Sequence, residues 1–138
     1  MVVRPTLLYG TECWPVKKNQ VRKLMIVEMR MIRWMYGFTR LDKIRNEMIR
    51  KKVGVAPIEE KLRETRFRWL GHVKRRGMSA LVRRCDAINL IQYRRGRGQP
   101  KMSWNEIIRG DMKCIGLTED IAQDRKLWRA RIRTVVHK

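Results

Sequence analysis

Glycine stands where four apolar stripes run out in this sequence, at Gly37, Gly54, Gly77 and Gly116. Each stripe has helical spacing, and helices commonly end where glycine supplies a left-handed residue. The punctuation divides the chain into helices and leaves little room for strands.

The first helix is expected over residues 19–36, with Val21, Leu24, Met25, Ile32 and Met35 on one face. Val27 and Trp34 lie together near Arg30 on the far face. A helix apolar on two sides is packed on both or has lost a neighbour. Thr39 and Asp42 have the spacing of a weak capping box, so a second helix is expected from there to Gly54. A third opens at Pro57 with Glu59 and Glu60 in its first turn. Its stripe is Ile58, Leu62, Trp69 and Val73, and the cations Lys74, Arg75 and Arg76 close it. Residues 78–92 fit a short helix better than an extended segment.

Ser103 and Glu106 make a capping box for a fourth helix, with Trp104, Ile107, Ile108 and Ile115 on one face. Thr118 is expected to cap a fifth, whose stripe is Ile121, Trp128, Ile132 and Val135. The expected fold is all-α, with about five helices. A three-helix unit falls within 1–92 and a helical hairpin within 103–138, joined by a basic Gly/Arg/Pro linker at 93–102.

Three charges intrude on the apolar faces: Glu28, Asp111 and Arg125. Each either sits at a wet edge or belongs to a structural ion pair. In a hairpin, Asp111 and Arg125 would fall within salt-bridge range.

Charge narrows the partners. The chain of 138 residues carries 34 Lys+Arg against 13 Asp+Glu, a formal charge of +21, with an ordinary apolar fraction of 43%. Self-repulsion on that scale asks for an anion. Polyphosphate fits best, because each neutralised phosphate releases counterions. RNA or DNA is therefore the expected partner. A membrane is not: no apolar run approaches the roughly 20 residues of a span, and the N-terminus lacks a signal-peptide core. An intracellular chain is expected, in the nucleus rather than the cytoplasm.

Catalytic chemistry is hard to find. The three cysteines, Cys13, Cys85 and Cys114, are far apart and form no CxxC, so they are expected as small buried or half-buried thiols. With only His72 and His137 beside them, no zinc site and no cofactor is expected. His72 lies beside the apolar stripe of the third helix, where packing or hydrogen bonding is its ordinary use. The carboxylates are few and mostly sit in helix first turns or beside lysines, and Asp-Asp, His-Glu and Gly-x-Ser-x-Gly pairings and a phosphate-cradling loop are absent.

Several longer stretches resemble a known family. They are LLYGTECW from Leu7, EMRMIRWM from Glu28, RFRWLGHVKRR from Arg66, RRGRGQPKMSWNEIIRGDMK from Arg94 and LTEDIAQDRKLWR from Leu117. In content and order they resemble the carboxy-terminal region of LINE-type (non-LTR) retrotransposon reverse transcriptases, most closely plant elements. The resemblance runs from about Arg4 to Arg133. It implies thumb-like and post-thumb helices that help hold template and primer. In that family the catalytic aspartates belong to the preceding palm, in a Tyr/Phe-Ala-Asp-Asp motif that this sequence lacks. A remnant without polymerase activity is thus expected, or a mis-split gene, whose other partner would be the palm and fingers of a parent element. Where family members commonly read Gly-Arg-Pro, this chain has Gly98-Gln99-Pro100, which removes the arginine that would enter a minor groove.

Non-catalytic binding of nucleic-acid phosphates is the expected function. The expected contacts are Arg94, Arg95, Arg97 and Lys101, with Gly96 and Gly98 allowing close approach, and a second patch at Lys74, Arg75 and Arg76. Trp69, Trp104 and Trp128 sit on apolar stripes as core residues, which leaves Trp34 as the exposed ring. The alternative is a structural or interaction fragment in which the back of the first helix is a broken interface.

Overall fold

The structure, a computed structural model, describes residues 3–87 and 102–136. All its regular elements are helical: α1 (Val3–Leu8), α2 (Lys18–Met35), α3 (Asn46–Val53), α4 (Ile58–Arg75), α5 (Leu81–Ala87), α6 (Trp104–Ile115), a 3-10 helix (Asp120–Gln123) and α7 (Arg125–Val136). No strand occurs among the described residues.

Local chemistry sets most of the boundaries. Gly54 and Gly116 close α3 and α6 in the left-handed conformation, at φ 68° and 62°. Gly77 does no such work, because α4 ends one residue earlier on an extended Arg76. The capping box at α6 is formed: Ser103 N–H donates to Glu106 Oε2 at 2.7 Å and Glu106 N–H to Ser103 Oγ at 3.3 Å.

Two expected caps do not start helices. Thr39 does bond Asp42, with its N–H 2.5 Å from Oδ2, but α3 starts only at Asn46. Lys43 lies between them at φ 49°, a left-handed residue through which no helix continues. The Arg33 guanidinium ties this loop down by donating to Thr39 O, Ile44 O and Asn46 Oδ1. Thr118 does not cap the last helix either. The 3-10 helix intervenes, and Asp124 Oδ1 accepts from Lys126 N–H at 2.8 Å and Leu127 N–H at 3.1 Å to start α7. Leu81–Ala87 supports a helix after α4, and the rest of 78–92 beyond Ala87 lies outside the described residues. The six-residue α1 carried no stripe long enough to be expected.

Helix α4 is the centre of the packing. It contacts α1, α2, α5, α6, α7 and the 3-10 helix. One core cluster joins Phe67 and Leu70 of α4 to Ile108 and Met112 of α6, Leu117, Ala122, and Trp128 and Ile132 of α7. A second joins Met29 and Ile32 of α2 to Ile49 of α3. The principal partner of both α6 and α7 is α4. The expected Asp111–Arg125 pair therefore does not form. Asp111 instead accepts from Arg66 at 2.5 Å and faces Arg63 at 3.5 Å, both on α4.

Glu28 resolves as a structural ion pair. It is 1% exposed, with Arg4 Nε 2.7 Å and Arg50 3.8 Å away. The thiols are not buried or half-buried as expected: Cys13, Cys85 and Cys114 are all exposed and free.

Gly71 sets how closely α7 approaches α4. A Cβ there would lie 2.5 Å from Trp128 Nε1 and 2.8 Å from Cδ1. The ring has no room to retreat, being 1% exposed and bonded through its N–H to Phe67 O at 2.9 Å. Overpacking of this kind costs about 1–3 kcal/mol, against roughly 1 kcal/mol gained by alanine over glycine in a helix. Gly71→Ala is expected to lower Tm by several degrees in a thermal melt. An unchanged or raised Tm would mean that the ring is not seated against Gly71.

Candidate nucleic-acid interface

The last two turns of α4 and the first two of α7 enclose a cleft of about 590 Å³. Arg68, His72, Arg75 and Arg76 line it from the α4 side, and Arg125, Trp128 and Arg129 from α7. Five of these seven residues are arginines and none is a carboxylate. The spacing explains the convergence. Positions 68, 72 and 75 share one face of α4, with Arg76 just beyond its end, and 125 and 129 lie one turn apart on α7. The close approach at Gly71 brings the two faces together.

The arginines are held differently. Arg75 donates to Ala122 O at 2.7 Å, which ties α4 to the 3-10 helix. Burial, and then the charge of Arg125, pushes its guanidinium below its ordinary range. Arginine still keeps its proton at neutral pH, so an anion entering the cleft relieves an existing repulsion. Arg68 is partly neutralised by Glu64, 2.5 Å away. Burial raises the Glu64 carboxyl, but Lys61 and Arg68 outweigh it and hold the group below the usual carboxylate range. Arg76 Nε donates to His72 Nε2 at 3.3 Å. Arg76, Arg125 and Arg129 are exposed.

The three sequence-predicted residues on α4 thus separate. Arg75 and Arg76 face the cleft, whereas Lys74 turns away to Glu119, 2.9 Å distant. Arg94, Arg95, Arg97 and Lys101, with Gly96, Gly98 and Gln99, lie outside the described residues. Sequence reasoning missed Arg68, Arg125 and Arg129. The turn-by-turn repeat of cations was there to be read, but the partner helix was not. The sequence offers Arg125 only a wet edge or a pairing with Asp111.

The aromatic side chains also redistribute. Only Trp128 is fully buried; Trp104 and Trp69 are half-buried. The Trp104 N–H donates to Glu12 O at 2.7 Å, and the Trp69 ring stacks on His72. Trp34 is 83% exposed, as expected for the back of α2, where Ile26 and Val27 are also exposed. No group of three metal-ligating side chains occurs among the described residues. No helix among them is long and apolar enough to cross a membrane.

Over 143 aligned positions the chain is 26% identical to a Caenorhabditis elegans protein described as uncharacterized and transposon-derived. The match covers 96% of this chain and 51% of that protein, so the chain spans about half the length of the relative. No family profile matches the chain, and no solved structure does.

Proposed function

We propose that this protein is a non-catalytic nucleic-acid-binding module of retroelement origin, which holds phosphates without reading sequence. The arginine cleft carries the reading: five guanidiniums converge on one concave surface, with no carboxylate among the described residues that line it. Such a surface suits phosphate oxygens, which accept paired N–H donors from arginine. The likeness to a transposon-derived protein over 96% of the chain supports the origin. The sequence resemblance refines it to the region following the palm of a LINE-type reverse transcriptase, where the bound strands would be template and primer. The sequence offers no recognition helix with base-reading side chains, so affinity is expected to depend on charge and not on sequence.

A salt titration on single strands tests this. For about four to six neutralised phosphates, the log–log slope of affinity against salt is expected near −3 to −4. Arg76→Ala, Arg125→Ala and Arg129→Ala together should make the slope shallower by about 2. Removing three exposed cations from other faces, Lys23, Arg109 and Lys113, should cost much less affinity. Equal losses in the two triple variants would show that net charge binds and the cleft does not. A second reading, an interaction fragment, is favoured by the bare apolar back of α2 around Trp34. It stands alone if the wild-type chain fails to bind at low salt.

A further inference from the structure

We infer that the arginine cleft and the shallower cleft beside it together hold one unpaired nucleotide, with the phosphate in the first and the base in the second. The inference rests on the nucleic-acid reading above and adds the state of the strand, single rather than paired.

The second cleft, of about 390 Å³, is lined by Glu12, Thr65, Arg68, Trp69 and His72. It shares Arg68 and His72 with the arginine cleft. These two side chains, one helical turn apart, form the boundary between an aromatic surface and a cluster of guanidiniums. The Trp69 and His72 rings are stacked, with centroids 5.6 Å apart and planes 25° from parallel. The bond from Arg76 Nε to His72 Nε2 holds the imidazole in place.

Charge sets the direction of the ligand. Among the described residues that line either cleft, Glu12 is the one that bears a carboxylate, and it lies on the second. Phosphate is therefore steered to the arginine side. Thr65 Oγ1 donates to Leu62 O at 2.9 Å, which leaves its lone pairs free to accept. With Glu12 it offers acceptors to the edge of a stacked base. A base within a duplex gives its faces to its neighbours. Only an unpaired base can present one to an aromatic ring, and such stacking tolerates any sequence of bases.

The test compares three probes on the full chain by fluorescence anisotropy. They are a short oligodeoxycytidine strand, an abasic strand of the same length and charge, and a duplex of the same length. The cytidine strand is expected to bind about tenfold tighter than the abasic one, from base stacking, and tighter than the duplex. Trp69→Leu, outside the arginine cleft, should remove most of that preference and leave affinity for the abasic strand unchanged; His72→Ala, which lines both clefts, should lower the ratio of cytidine to abasic affinity as well. Arg125→Ala with Arg129→Ala should weaken both strands alike. His72 is exposed, so its substitution keeps the test valid even if Trp69→Leu disturbs folding. Equal binding of cytidine and abasic strands, still weakened by the arginine variants, would overturn the nucleotide subsite and leave phosphate binding standing. A base preference that survives His72→Ala and a folded Trp69→Leu would place the base elsewhere and overturn it too. No binding to any probe would overturn both readings.

Discussion

Trp128→Ala is expected to remove a large share of the stability of the chain. The indole is 1% exposed and sits in the core cluster of α4, α6 and α7. It meets Phe67 edge to face, with centroids 6.2 Å apart, and its N–H donates to Phe67 O. Truncating a buried tryptophan costs about 3–5 kcal/mol. A domain of ordinary stability has only about 5–15 kcal/mol in all. Because Trp128 also lines the arginine cleft, binding should fall with folding. Trp34→Ala provides the contrast: that ring is 83% exposed, and its loss should change stability by no more than about 0.5 kcal/mol. Urea denaturation of the two variants measures the difference. Similar midpoints would mean that Trp128 is not a core residue.

What the sequence disclosed, and what it hid, follows from the range of the interactions. The Ser103–Glu106 box spans three residues and was legible because both partners lie in one turn. Gly54 and Gly116 were legible for the same reason. Thr39 and Asp42 carried a real hydrogen bond, yet the same local chemistry closes a turn when a left-handed residue such as Lys43 follows. Thr118 misled because a 3-10 helix could be inserted before the true cap at Asp124.

The cleft was half legible. Arg75 and Arg76 stood out as a cationic helix end, but a helix end becomes a site only when another surface faces it. That surface is α7, brought in by the fit of Trp128 on Gly71. A glycine within a helical stripe gives no sign of which ring will cover it. Asp111 shows the same limit: its place on an apolar face announced a partner, and the fold supplied Arg66 and Arg63 from α4. The flexible cationic arm expected at 94–101 lies outside the described residues, so the site as built rests on α4 and α7.

Glu28→Leu is expected to be nearly as damaging, for an electrostatic reason. Glu28 on α2 pairs with Arg4 of α1 and Arg50 of α3, and Arg4 also donates to Ala56 O. One carboxylate thus ties α1 to α2 and α3, which already share the smaller apolar cluster. Leucine would fill the space but leave two guanidiniums without their counter-ion. Removing one member of a buried pair typically costs about 3–5 kcal/mol. Arg4 and Arg50 keep 15% and 12% of their side-chain surface exposed, so water compensates in part and the lower end of that range applies. The origin of the loss can be isolated. If uncompensated charge is responsible, adding Arg4→Met and Arg50→Met to Glu28→Leu should recover most of the stability, because apolar groups can replace a buried ion pair at little net cost. If lost packing is responsible, the triple variant should be no better than the single one. Denaturation midpoints of the wild type, the single variant and the triple variant decide between them, and a neutral Glu28→Leu would show that the carboxylate does not hold α1 in place.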